Sequence, residues 1–548
     1  MSNARPDQLR LLAPDQEADA LAVVHDLLTG DTKGVPRYLA EDIAAVRTQS
    51  MLTAVKIPGA GGVQLDALAA WPLGDGPHPL IVLPAGLDQS GWKMYSGAII
   101  RLLMRRYAVV AYTERGLADS GGELTVAGPE DVEDGAAVID WALAHPQMKV
   151  DADKVGMAGL SYGSGISQLV ANRHPAVKAV VALSAWADLG EALYDNHTPH
   201  IQAAEALASI SERPSAELLK VLDDFRNNTN IEGVLEYAKP RSPAQVPAGE
   251  QRAVPTFFTT YWHETIFPQN QLLEYFTRYP GPKRLDIAVG DHGAVEIPGA
   301  LLGVYTRTTE AAYDWFDHYL RGVDNGIDKD GAVHTESMYS FTMSTAPDLE
   351  SWSNPLRRYY FQAPNSESAD GTLTTERPQT STQRIRVGDQ HVDAVSALIT
   401  DGFLERLLMP RRQKLADLDR GVAAVWTTPR PFLTPHHIAG IPEVSLTVTP
   451  ATESATVIAY LLDFNPFTGN LRIITHAAAS VQNQQPDHPT DLTFPLKATD
   501  YRIPIGHKLA VIIGTKDLLY LYDESDTGNT ITLTNAPDTA YVDIPIVP

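Results

Sequence analysis

The chain has 548 residues, enough for two to four domains, and its 44% hydrophobic and 20% charged residues are a globular composition. A formal net charge of −24 argues against nucleic acid or an anionic membrane as a partner. With no cysteine, disulfides, thiolate nucleophiles and cysteine metal sites are all excluded.

The first residues, "MSNARPDQLRLLAPDQEADALAVV", contain no apolar signal core and no small-residue cleavage site. No apolar run approaches the roughly 18 residues of a spanning helix, so a soluble cytoplasmic protein is expected. Residues 1–50 read as a polar helical segment, two helices broken at "TGDTKGVPRY". "AVKIPGAGGVQLDALAAWP" alternates about a glycine turn and reads as a hairpin. "HPLIVLPAG" and "YAVVAYTERG" are short continuous apolar runs, suited to strands buried on both faces of a parallel sheet. "GAIIRLLMRR" between them has helical spacing.

In "DVEDGAAVIDWALAH", Val132, Ala136, Ile139 and Leu143 share one helical face. "KVGMAG" then reads as a strand, "SGISQLVANRH" as a helix and "VKAVVALSAW" as a strand. "RAVPTFFTTYW" and "KRLDIAVGDHG" are two more strands, followed by a helix ending "AAYDWFDHYLRG". The alternation predicts a doubly wound α/β sheet over 51–188 and 251–334. It is interrupted once, at 189–250, by a polar, helix-like stretch that reads as a cap over the C-terminal sheet edge, where ligands sit. From residue 335 to 548 the pattern turns to β. "SLTVTP", "TVIAYLLDF", "RIITHAAAS", "KLAVIIGT", "LYLYD", "TITLTN" and "YVDIPIV" suggest a jelly-roll sandwich. "PNSESADGTLTTERPQTSTQ" (364–383) reads as a polar loop, "ERLLMPRRQKLADLDR" (405–420) as a solvated helix, and "PHH" (435–437) as β-domain surface.

Gly-x-Ser-x-Gly between a strand and a helix, "GLSYG", is the pattern of a nucleophile elbow. It makes Ser161 the candidate nucleophile, with Gly159 and Gly163 admitting the sharp turn. A serine hydroxyl needs a base oriented by an acid, and in this fold the order along the chain is Ser, acid, His. His292 follows the last strand in a Gly-Asp-His-Gly turn. Glu264 lies in the loop after the preceding strand and is the candidate acid, ahead of Asp188, Asp286 and Asp291. "HETIF" is not a zinc motif, because Phe267 stands where H-E-x-x-H needs histidine. No cofactor or phosphate-loop motif is present. Tyr95, Trp186 and Trp262 are candidate pocket residues.

These pieces, with "YAVVAYTERGLADSGGE", "PRSP", "AAYDWFDHYLRGVDNGI" and "GHKLAVIIGT", resemble the peptidase S15 group. That group contains the X-prolyl dipeptidyl peptidases and the cocaine-esterase-like (CocE/NonD) hydrolases. The resemblance covers roughly residues 54–548 and implies a hydrolase domain, an inserted helical cap and a jelly roll. It implies cleavage of an ester or amide in a small molecule or short peptide through an acyl-enzyme, with Ser161, His292 and Glu264 as triad. The fold requires an oxyanion donor at the Tyr162 N–H.

Two positions depart from the family pattern. Glutamate stands at 264 where aspartate is usual. "LPAGLDQS" has Leu87 where the family commonly has a tyrosine whose hydroxyl donates to the oxyanion. The missing donor is then expected from N–H groups near Gly86 and Leu87, or from Tyr95. The alternatives are an X-Pro dipeptidyl peptidase, with Glu191, Asp195 and Glu205 available to meet a substrate amine, or a non-catalytic binding protein on a hydrolase scaffold. Oligomeric state is left open.

Overall fold

The computed structural model describes residues 24, 27–29, 37–211, 213–364, 369–395, 398–411, 413–521 and 526–548. After helix α1 (Arg37–Gln49), β1 (Ser50–Pro58) and β2 (Gln64–Pro72) form the expected antiparallel hairpin. Most of the first helical segment, residues 1–23, lies outside the described residues. Then come β3 (His78–Pro84), α2 (Ser96–Met104), β4 (Ala108–Tyr112), α3 (Pro129–Ala144), β5 (Val150–Leu160), α4 (Tyr162–Arg173) and β6 (Val177–Leu183).

The sheet order is β1-β2-β4-β3-β5-β6, continuing through β9 (Thr256–Tyr261), β10 (Lys283–Ala288), β11 (Val333–Glu336) and β12 (Met343–Ala346). Neighbours from β4 to β11 are parallel. Alternation explains why β3 and β4 read as continuous apolar runs. Leu80, Val82 and Val110 pack on one face with Val138 and Ile166, while Ile81, Leu83 and Val109 pack on the other with Ile99 and Phe316. The chain reverses its direction across the sheet between β3 and β5, and such a switch point opens a crevice at the C-terminal strand ends.

Between β6 and β9 lie α5 (Leu189–Leu193), the two-residue strands β7 (Tyr194–Asp195) and β8 (Thr198–Pro199), α6 (Ile201–Ala208), α7 (Ala216–Arg226) and α8 (Ile231–Ala238). After β9 the chain forms α9 (Asn270–Arg278), and after β10 it forms α10 (Glu296–Leu302) and α11 (Arg307–Arg321). None of the described helices is long and apolar enough to cross a membrane.

A separate β-rich domain follows, its strands running from Leu356–Gln362 to Tyr541–Val547 and joined in a 14-stranded sheet. Several local readings need correction. The first sheet runs on through β12, so a boundary at 335 would cut β11. Residues 364–383 include the strand Gly371–Thr374 and the start of Ser381–Arg386, with 365–368 outside the described residues. Cross-strand pairing there outweighs the polar composition. The charged run 405–420 is not one helix. The helix Thr400–Arg406 takes in only its first two residues and ends ahead of Pro410. In "LYLYD", Leu519–Leu521 are not in a strand, and the last two residues lie outside the described ones.

The β-domain buttresses the first sheet through buried polar contacts. Asp500 accepts from Thr335 Oγ1 at 3.0 Å and Ser337 Oγ at 2.6 Å, and lies 2.8 Å from His437 Nε2. "PHH" is therefore interface rather than open surface. Burial alone would raise the Asp500 pKa, but the hydrogen bonds from His437 and Ser337 outweigh it and hold the group below the usual range.

Candidate active site

β5 ends at Leu160, and α4 begins at Tyr162. Ser161 makes the turn between them at φ 57°, ψ −116°, a conformation non-glycine residues rarely hold. The surroundings fix it. Ser161 N–H donates to Leu183 O at 2.9 Å, and the Ser161 carbonyl accepts from Ser164 N–H at 2.9 Å. The close approach explains the glycines. A Cβ at Gly159 would lie 2.2 Å from the Gly163 carbonyl, and one at Gly163 would lie 2.1 Å from Pro84 O. Small residues here let α4 sit down on the ends of β3 and β5.

Glu264 lies in the loop after β9 and His292 in the loop after β10, and both are buried. Glu264 Oε1 is 2.8 Å from His292 Nδ1 and also accepts from the N–H groups of Ile266 at 3.1 Å and Phe267 at 3.2 Å. An ionised carboxylate only accepts, so Nδ1 carries the proton and the lone pair of a neutral ring is left on Nε2. His292 Nε2 is buried and has no partner among the described residues. Phe267 packs edge-on to the imidazole, with centroids 5.5 Å apart. Ser184 Oγ accepts from Gly293 N–H at 2.9 Å and ties the histidine loop to the end of β6.

The competing carboxylates are engaged elsewhere. Asp286 pairs with Arg284 and Arg307. Asp188 caps α5 by accepting from Glu191 N–H at 3.1 Å. Asp291 turns away from the imidazole and holds Thr265 N–H and Oγ1, both at 2.8 Å, and Ile399 N–H at 3.1 Å. Burial, and then the charge of Glu264, push its pKa up to about 7. Glu405, on the helix Thr400–Arg406, is pushed up to about 8 by burial and Asp291. His263 lies 3.5 Å from Glu405 and is lowered to about 4, by burial first and then by Lys497.

Of the candidate oxyanion donors, Tyr162 N–H opens the first turn of α4, and Leu87 N–H lies in the loop after β3. Neither has an acceptor among the described residues. Gly86 N–H is occupied, donating to Met94 Sδ at 3.0 Å. Tyr95 is also occupied. Its hydroxyl donates to Pro84 O at 2.9 Å and accepts from Leu160 N–H at 2.8 Å, stapling β3 to β5. It neither reaches the site nor lines the cavity there, which corrects its reading as a pocket residue.

That cavity, about 100 Å³, is bounded by Ser161, Tyr162, Leu87, Trp186, Phe267 and side chains of α5–α8. Trp186 lines it as expected, anchored by its indole N–H to Arg241 O at 2.8 Å. Trp262 does not. It stacks on Trp352 at 5.6 Å and donates to Glu336 O at 2.6 Å, beside the β-domain. Phe267 and Met94 were not anticipated. The only sequence signal for Phe267 was its place three residues after Glu264.

The chain matches the X-Pro dipeptidyl-peptidase (S15 family) model over residues 61–294, and the model of the X-Pro dipeptidyl-peptidase C-terminal non-catalytic domain over 325–541. Taken together, the two matches show the likeness of this chain to the peptidase S15 family. A Bacillus anthracis S15 relative, named an inferred Xaa-Pro dipeptidyl-peptidase, is 22% identical over 76% of this chain and 70% of its own length. A CocE/NonD family hydrolase from Staphylococcus aureus shares the fold, with a TM-score of 0.70 and 15% identity over 91% of this chain and 94% of that one. An α-amino acid ester hydrolase does so with a TM-score of 0.66 and 17% identity, over 95% and 100%. With the match to the S15 model over the sheet that carries Ser161, the chain is a serine hydrolase of the α/β-hydrolase type, which sets aside the non-catalytic alternative.

Proposed function

We propose that this S15-like hydrolase cleaves an ester or amide through an acyl-enzyme on Ser161, with His292 as base and Glu264 as the acid that orients it. The observation that carries the reading is the buried 2.8 Å contact of Glu264 with His292 Nδ1, which leaves Nε2 unpartnered. Nε2 takes the Ser161 proton as Oγ bonds to the acyl carbon. The Tyr162 and Leu87 N–H groups hold the oxyanion, and the positive end of the α4 dipole favours the charge. The imidazolium then gives its proton to the leaving group as that bond breaks. Water, deprotonated by Nε2, releases the acid and restores Ser161. Glu264 stays ionised and stabilises the imidazolium in both steps.

We read the helices of 189–250 as a cap over Ser161, and the mostly antiparallel β-domain as a jelly roll. Ser161→Ala should abolish hydrolysis of p-nitrophenyl acetate, and undiminished turnover would sink the reading. A second reading, release of X-Pro dipeptides, is favoured by the name of the matching family and of its relatives. Its test is turnover of a Gly-Pro p-nitroanilide.

A further inference from the structure

Resting on the acyl-enzyme reading above, we propose that the acyl group transferred to Ser161 is compact, uncharged and apolar, and that acyl groups bearing a free α-ammonium are excluded. The cavity beside Ser161 is walled by Leu189 and Leu193 of α5, Ala204 of α6, Leu218 and Phe225 of α7, and Val234 of α8. No Asp, Glu, Lys, Arg or His is among the described residues lining it. Two of its hydroxyls are already committed. The Tyr162 hydroxyl accepts from Ala127 N–H at 2.9 Å, and the Tyr237 hydroxyl donates to Thr125 O at 2.8 Å.

The three carboxylates that could have met an amine are elsewhere. Glu205 pairs with Arg226, and Asp195 with His200 at 2.7 Å. Glu191 lines a neighbouring groove of about 450 Å³ with Asp195 and Glu274; Tyr194 and Leu235 line both spaces, but none of these three carboxylates lines the cavity. An α-ammonium sits one carbon from the reacting carbonyl, next to Ser161, where the lining offers it no carboxylate. A dipeptidyl acyl group would carry its ammonium further in, against the apolar wall of α6–α8. Either way an unpaired cation would be buried in a dry site, which binding does not tolerate. Volume sets the size. At about 100 Å³ the cavity is somewhat smaller than the apolar cavities of about 150 Å³ that hold benzene, which suits a short or branched aliphatic acyl group.

The test uses two p-nitrophenyl esters with one carbon skeleton, 4-methylpentanoyl and L-leucyl, on the wild-type protein near pH 6, where an α-amine is charged. The expected kcat/KM favours 4-methylpentanoyl by about 100-fold. A ratio below about tenfold, or a Gly-Pro p-nitroanilide turned over as well as the 4-methylpentanoyl ester, would overturn the inference. Ser161-dependent turnover of p-nitrophenyl acetate separates the two claims. If it persists while the pair shows no preference, the specificity fails and the mechanism stands. If nothing is turned over through Ser161, both fail. Ala204→Phe, or the milder Ala204→Leu, locates the site. Either should lower the ratio of 4-methylpentanoyl to acetyl kcat/KM by about tenfold, and an unchanged ratio in the folded variant would place the acyl group elsewhere.

Discussion

Glu264→Asp tests the acid most sharply, because the change keeps the charge and removes only reach. One C–C bond is about 1.5 Å, so the carboxylate retracts by roughly that length. The 2.8 Å contact with His292 Nδ1 then opens to about 4 Å, beyond the limit of roughly 3.2 Å for such a bond. The N–H groups of Ile266 and Phe267 lose the same acceptor, since both bond Oε1. Two buried donors left unsatisfied cost about 1–3 kcal/mol each, so Tm should fall measurably. The rate should fall further. An imidazole without its orienting carboxylate loses up to about 10⁴ in kcat, and a distant carboxylate retains some field, so a drop of about 10²–10⁴ is expected. The assay is kcat for p-nitrophenyl butanoate well below the variant's Tm. A kcat within about threefold of wild type would mean that Glu264 does not orient the base.

Gly163→Ala should lower Tm and kcat together, because its Cβ would lie 2.1 Å from Pro84 O and lift α4 off the end of β3, at a cost of about 1–3 kcal/mol or more. Gly322→Ala is the control. Its φ of 70° costs roughly 1 kcal/mol, but no atom stands near its Cβ, and activity should hold. Equal effects of the two would remove the packing argument. Stability should also fall as pH rises from 6.5 to 8.5. Glu405 and Asp291, raised to about 8 and about 7, keep protons in the folded state that the unfolded chain has already lost. One such proton lowers stability by about 1.4 kcal/mol per pH unit, levelling off above the folded pKa. Glu405→Gln should flatten that slope in Tm measured against pH, and an unchanged slope would assign the titration to other groups.

The α/β half was legible because both of its periods are strong. β3 and β4 are apolar throughout, and α3 shows a clear face, so boundaries there fall within a few residues. That Glu264 and His292 come together was legible from order alone, since each follows a strand that reads plainly and the fold brings neighbouring strand ends together. The rest depended on what folding does to polar groups far apart in sequence. Nothing local to Gly86 says that Met94 will take its N–H, or that the Tyr95 hydroxyl will be spent between Pro84 and Leu160. Trp262 looked like a pocket residue beside Glu264, but alternation along the chain turns it toward Trp352 and the β-domain. The strands around 371 and 381 were hidden because their outward residues are polar and part of their pairing is with strands far along the chain, at 424–427 and 530–535. Nothing in the sequence around Gly402 marks a contact with the histidine loop, yet it packs so closely on Asp291 that a Cβ there would lie 2.2 Å from the Asp291 Cβ.

The account stands on covalent chemistry at Ser161, and a fluorophosphonate reports on it directly. Intact-mass and peptide-mapping measurements should find one phosphonyl adduct per chain, on the peptide containing Ser161. It should be absent in Ser161→Ala and slowed by at least about 10²-fold in His292→Ala. An adduct on another serine, or labelling of Ser161→Ala at the wild-type rate, would contradict the central claim.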